Sequence, residues 1–210
     1  LLAIIANKRG ADISCSYPNI HYLGFPLSVS EEFQKRNTNK SINDALFLVE
    51  KIQNLSIQNN KELIVYISMA FGNPYSENFH PDMVAELVHK LDVFDIHTIA
   101  LADTIGVSNL SNIPLLFQIL LTEYPNIEFG AHFHSKPDEW QEKFESAYQN
   151  GCRRFDTTIM GYGGCPMAKN ELVGNIPTEK VCELLREKNI DLDIDYKALR
   201  NIVNNMSIYF

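Results

Sequence analysis

The chain has 210 residues, 45% of them hydrophobic and 21% charged, with a formal net charge of −8. That is the size of one ordinary domain, or of part of a larger single-domain barrel, with enough apolar material for a substantial core. The acidic balance and the lack of any Lys/Arg-rich run exclude a nucleic-acid footprint, and no apolar run approaches the ~20 residues of a membrane span.

The first seven residues, LLAIIAN, read as a buried strand. They carry no basic lead and no small-residue cleavage pattern, so they do not read as a signal peptide, and a strand with no lead-in predicts a natural start further upstream. Five more strands are predicted at 20–27, 63–70, 97–103, 127–134 and 152–160. Several have apolar residues in succession, as expected where both faces of a parallel sheet are covered. Helical periodicity fills the gaps. The helix at 41–58 begins on Ser41, and 81–91 has Pro81 in its first turn. Further helices are predicted at 110–124, at 138–151 closing on Gly151, at 178–189 with Thr178 as cap, and at 195–206. The four cysteines, Cys15, Cys152, Cys165 and Cys182, have neither a disulfide framework nor a CxxC zinc spacing, which points to a reducing compartment.

Strand-then-helix units in series require a parallel sheet with right-handed crossovers. A doubly wound sheet and a (β/α)₈ barrel both satisfy this, but no GxGxxG follows the first strand, which weakens a dinucleotide site. A complete barrel takes ~250 residues. The chain therefore reads as one α/β domain over 1–210, compatible with either architecture, the barrel form being a (β/α)₈ TIM barrel with six of its eight units and the first two missing.

In such a fold the chemistry gathers where strands end. Asn7 and Lys8 end the first strand, Ser28 and Ser30 follow the second, and Ser68 lies near the end of the third. Asp103 closes the fourth in LADTIG, either capping the segment that follows or serving as a base or orienting group. His132 and His134, in GAHFH, sit two apart, so their rings enter one space. They are either a hydrogen-bonded pair or ligands for Mn²⁺, Fe²⁺ or Zn²⁺. After the sixth strand, GYGGCP places Cys165 in a glycine-rich loop, where a thiol with a lowered pKa can act as acid, base or nucleophile. Asn175 is either a turn residue or a neutral oxygen ligand. Lys35 and Arg36 lie on a solvated face or near the phosphate of a cofactor. Cys152 and Cys182 read as packing residues.

The segments SEEFQKRNTNKSI, ISMAFGNPY, LADTIGV, GAHFH and GYGGCPMAKN with its later GN and PTE resemble, in this order, 3-hydroxy-3-methylglutaryl-CoA lyase, a TIM-barrel metal-dependent lyase. GGCP followed by GN is specific to the lyase branch, whereas HxH is shared with isopropylmalate-type synthases and 4-hydroxy-2-oxoacid aldolases. The resemblance implies cleavage of 3-hydroxy-3-methylglutaryl-CoA to acetyl-CoA and acetoacetate with Mg²⁺ or Mn²⁺. It implies metal ligation by His132, His134 and Asn175, and catalytic roles for Cys165, Asp103 and His132. It sets Asn7, Ser30 and Glu179 near the substrate. It also implies a CoA-thioester substrate, a homodimer, the bacterial cytoplasm or the mitochondrial matrix, and leucine degradation and ketone-body metabolism.

The chain departs from that pattern in three respects. The first strand corresponds to the family's third, so the family's Asp ligand, catalytic Arg and catalytic Glu have no counterpart, and the polypeptide as written is expected to lack lyase activity. Ser135 follows HxH where an acidic residue is common. The interval from Cys165 to Asn175 is one residue longer. These features leave open a related synthase or aldolase, or a non-catalytic homologue that binds a CoA ester.

Overall fold

The computed structural model describes residues 1–164 and 173–206. In chain order it contains β1 (Leu2–Ile4), α1 (Lys8–Cys15), β2 (Tyr22–Ser28), α2 (Glu31–Thr38), α3 (Ile42–Gln58), β3 (Glu62–Ser68), α4 (Pro81–Val93) and β4 (Thr98–Asp103). There follow α5 (Asn112–Glu123), β5 (Glu128–Ser135), α6 (Trp140–Gln149), β6 (Arg154–Phe155), a 3₁₀ turn at Ile159–Gly161, β7 (Gly174–Asn175), α7 (Thr178–Glu187) and α8 (Tyr196–Asn205).

Strands β1 to β6 lie side by side in chain order, every neighbouring pair parallel. A doubly wound sheet would reverse its order at a switch point, and this one does not. It is an arc of a (β/α)₈ barrel. The short β7 joins β5 antiparallel, setting Asn175 opposite His134 and Gly174 opposite Ser135.

Alternation along each strand divides the molecule into two layers. Leu23, Phe25 and Leu27 of β2, Leu63, Val65 and Ile67 of β3, and Phe129 and Phe133 of β5 are all at most 2% exposed. They form the core with the apolar stripes of the helices, each large side chain contributing ~1.5–3 kcal/mol by leaving water. The opposite face carries Gly24, Pro26, Ser68, Ala102 and the two histidines of β5 and borders an open cavity.

Local signals account for most helix starts. Ser41 and Asp44 form a reciprocal capping box on α3, and His80 caps α4 with Pro81 in its first turn. Asp195 caps α8 through the amides of Lys197 and Ala198.

Four expectations are corrected. LLAIIAN is not a buried strand: Leu1, Leu2 and Ile4 are 77%, 37% and 64% exposed, because β1 is an edge strand and Leu2 and Ile4 border the open cavity. The stretch 152–160 contributes only the two-residue β6, since Thr158 pairs with the segment just past β7, its N–H donating to the Ile176 carbonyl. Thr178 is the first helical residue of α7 and not its cap; Pro177 holds that place, and the Thr178 hydroxyl donates to Thr157 Oγ1 at 2.8 Å. Two helices, α1 and α2, follow strands where sequence periodicity had marked none. Asn7 and Ser30, three and two residues past the ends of β1 and β2, serve as the N-caps of these helices.

Candidate active site

The two histidines of β5 face the cavity side by side, ring centroids 5.3 Å apart. Each is anchored by its Nδ1. In His132, Nδ1 is 2.9 Å from Asp156 Oδ2, and Tyr66 meets the ring edge-on at 5.7 Å. In His134, Nδ1–H donates to the Asp103 carbonyl at 3.0 Å. A carbonyl accepts only, so this bond selects the tautomer and leaves Nε2 with its lone pair. Fixing one imidazole nitrogen on a carboxylate or carbonyl while the other stays open is the usual support of a metal-binding histidine. Burial lowers the His134 pKa, the neighbouring His132 lowers it further, and the bond to Asp103 opposes both. The ring is therefore neutral at physiological pH, as a ligand must be.

Asn175 reaches the same cavity from β7. Its Nδ2 donates to the Tyr162 carbonyl at 3.0 Å, so the carboxamide oxygen is the end left for a ligand. Glycines allow GYGG to lie against β7. A Cβ on Gly164 would stand 2.3 Å from the Val173 carbonyl oxygen, and one on Gly161, whose φ is +67°, would stand 2.8 Å from that of Asn175. The cavity measures about 830 Å³, with both histidines, Asn175, Asp156 and Tyr66 in its wall. Burial and the nearby Asp156 push the Tyr66 phenol up to about 12, so it stays protonated.

The other residues expected here have different places. Asp103 lies on the helix side of β4: its carboxylate accepts from Val107 N–H at 2.8 Å, Ser108 N–H at 3.0 Å and Ser108 O–H at 2.6 Å, and pairs with Lys143. Capping of its own loop is the use its side chain has, and only its carbonyl reaches His134. Asn7 is exposed, caps α1 through Gly10 N–H and is not one of the residues lining the cavity. Ser30 is buried; its Oγ accepts from Phe33 N–H at 3.0 Å and donates to Glu77, which also caps Glu32. Glu179 accepts from Met160 N–H at 2.9 Å, holding the turn that leads into GYGG. Lys35 and Arg36 already pair with Glu31 and Glu32 one helical turn earlier. Cys165 lies outside the described residues. Burial raises the Cys152 thiol to about 12 and also raises that of Cys182, which makes both inert packing residues.

Asp156, Tyr66 and Lys143 were missed. For Asp156 the signal was present: it ends the sixth strand in FDTT at the register that alternation assigns to the cavity. Nothing in the sequence joins Tyr66 to it, 90 positions away by numbering.

Two imidazole nitrogens and one carboxamide oxygen form a neutral partial donor set suited to a divalent cation with open positions. Among the described residues, no group of three or more His, Cys, Asp or Glu side chains could hold a metal. Fold and site together define a (β/α)₈-barrel protein whose functional end is the carboxyl end of its strands.

Comparison with known proteins gives the family. The HMGL-like family model matches residues 6–206, and the chain belongs to that family. It is 28% identical over 197 residues to a hydroxymethylglutaryl-CoA lyase of Bacillus subtilis, covering 94% of this chain and 65% of the relative. To the 3-hydroxy-3-isohexenylglutaryl-CoA/hydroxy-methylglutaryl-CoA lyase of Pseudomonas aeruginosa it is 31% identical, covering 82% of this chain and 57% of that one. An HMG-CoA lyase structure from Acinetobacter baumannii, in complex with coenzyme A and 3-methylmalate, superposes with a TM-score of 0.88 at 27% identity, covering 99% of this chain and 67% of that one. The chain thus spans about two thirds or less of the relatives it matches. Among the described residues no helix is long and apolar enough to cross a membrane.

Proposed function

We propose that this chain acts as a divalent-metal carbon–carbon lyase on 3-hydroxy-3-methylglutaryl-CoA, releasing acetyl-CoA and acetoacetate. The observation that carries the reading is the convergence of His132, His134 and Asn175 on one cavity at the strand ends. Membership of the HMGL-like family supports it, and the neighbour in complex with coenzyme A supports a CoA-thioester substrate.

The reaction removes the tertiary hydroxyl proton, breaks the C2–C3 bond and leaves the electron pair as the enolate of acetyl-CoA, which is then protonated. Mg²⁺ or Mn²⁺ would be held by His132, His134 and Asn175, and when bound supplies Lewis acidity that lowers the hydroxyl pKa. His134 serves through the Nε2 that its bond to Asp103 leaves open. His132, whose Nδ1 is held by Asp156, has its Nε2 left either to ligate or to take the hydroxyl proton; both uses need the same ring orientation. Cys165 is the proposed acid for the enolate. Glu179 holds the turn ahead of the GYGG loop. We place the protein as a homodimer in the bacterial cytoplasm or mitochondrial matrix.

The test is acetoacetate release from the CoA ester, before and after EDTA and after adding back Mg²⁺ or Mn²⁺. Activity that is lost and regained is expected; turnover indifferent to metal would sink the ligand assignment. The alternative is a homologue that binds the CoA ester without turnover. Ester binding with no acetoacetate at any metal concentration would select it.

A further inference from the structure

Behind the histidines, on the helix side of β4 and β5, lies a buried ion pair that the proposed chemistry does not use. Lys143 Nζ stands 3.1 Å from Asp103 Oδ2, 3.0 Å from the Gly106 carbonyl and 3.1 Å from the His134 carbonyl. The Lys143 and Asp103 side chains are 5% and 0% exposed. An ammonium has three N–H donors, so this acceptor set saturates it. A pair this dry adds little over an apolar replacement, whereas removing one partner strands the other. A methionine would fill the same volume among the apolar neighbours of α6. What the lysine adds is a three-way clamp.

The clamp meets His134 from two directions. Its ring Nδ1–H donates to the carbonyl of Asp103, the residue whose carboxylate Lys143 pins, and its own carbonyl accepts directly from Lys143. Gly106, the third acceptor, belongs to the loop that the Asp103 carboxylate organises through Val107 and Ser108. His132 is held separately, by Asp156. The sites of the two rings are therefore separable by experiment.

We infer that Lys143 is a positioning residue for His134: by clamping Asp103, Gly106 and the His134 backbone, it holds the ring with Nδ1–H on the Asp103 carbonyl and Nε2 toward the cavity. The inference concerns ring geometry, and it rests on the proposed function only for what Nε2 is used for.

The experiment reads histidine tautomers by long-range ¹H–¹⁵N correlation in the metal-free full chain at about pH 8, above the ordinary imidazole range, and Mn²⁺ affinity by EPR titration. The variants are Lys143→Met and the charge-neutral Lys143→Met/Asp103→Asn, the second because the first strands a carboxylate. In the folded variants His134 should pass from the Nδ1–H form to a tautomer mixture while the His132 signature persists. Mn²⁺ affinity should fall by about 10- to 100-fold, the usual effect of removing support from a ligand. An unchanged His134 signal in a folded variant overturns the inference, as does an equal change at His132, which would mark general loosening. Loss of fold in both variants also overturns it, since the pair would then serve the fold and not the ring. A His134 shift in a protein whose wild type binds no Mn²⁺ supports the clamp and removes the metal reading.

Discussion

Asp103→Ala separates a structural carboxylate from a catalytic one. The change leaves the Lys143 ammonium in a site where its side chain is 5% exposed, with two carbonyls for partners and no counter-ion. Breaking a buried pair from one side costs about 3–5 kcal/mol. The Val107 and Ser108 donors also lose their acceptor, but they lie at a loop where water can enter the truncated space, so the stranded charge sets the scale. For a chain of this length each kcal/mol moves the melting temperature by about 2–4 °C, which gives a fall of roughly 6–20 °C. Adding Lys143→Met removes the stranded charge and should recover about 2 kcal/mol or more, a coupling well outside the ~0.5 kcal/mol scatter of independent sites. Urea denaturation followed by circular dichroism, run as a double-mutant cycle, measures this. Single and double variants that add within that scatter would refute the buried-pair account. An Asp103 serving as acid or base in the cavity would instead lose turnover with its urea midpoint unmoved.

Asn7→Ala should cost about 1 kcal/mol through loss of the α1 cap, read as a melting temperature about 2–4 °C lower. A KM that rises for the CoA ester at unchanged stability would return Asn7 to the substrate. In metal-free protein, His134 links stability to pH. Burial holds its folded pKa below the ordinary imidazole value of 6.5, so on acidification the unfolded chain takes up the proton first. Urea midpoints should therefore be highest above about pH 6.5 and decline as pH falls toward the folded pKa, before carboxylates begin to titrate near about pH 5. His134→Gln should flatten that window, and a wild-type slope of zero there would contradict the buried neutral ring.

Much of the cavity wall was legible because strands have a period of two. His132 and His134 share a face by spacing alone, and the same rule applied to FDTT would have delivered Asp156. The same rule bears on Asp103. From its position the carboxylate was left open between capping its own segment and acting as a base or orienting group, whereas alternation from Ala102, which lines the cavity, turns residue 103 toward α6. The short helices α1 and α2 escaped because a single turn or two of amphipathic pattern resembles a solvated loop, and only the cap bonds of Asn7 and Ser30 distinguish the two. Lys143 could not be found from sequence: on an amphipathic helix a lysine reads as solvent-facing, and its three acceptors come from segments up to 40 positions away.

By itself the sequence determined the β/α order and the pair of imidazoles on one strand face. These follow from local periodicity, capping and alternation, which act over a few residues. The unbroken strand order that makes the sheet a barrel arc was settled by the fold. Tertiary structure alone decided which nitrogen each ring keeps open, where the Asp103 carboxylate points and that Asn175 stands opposite His134. Those depend on carbonyls and charges brought together by strand pairing across long stretches of chain, and hydrogen-bond direction exists only once both partners are in place.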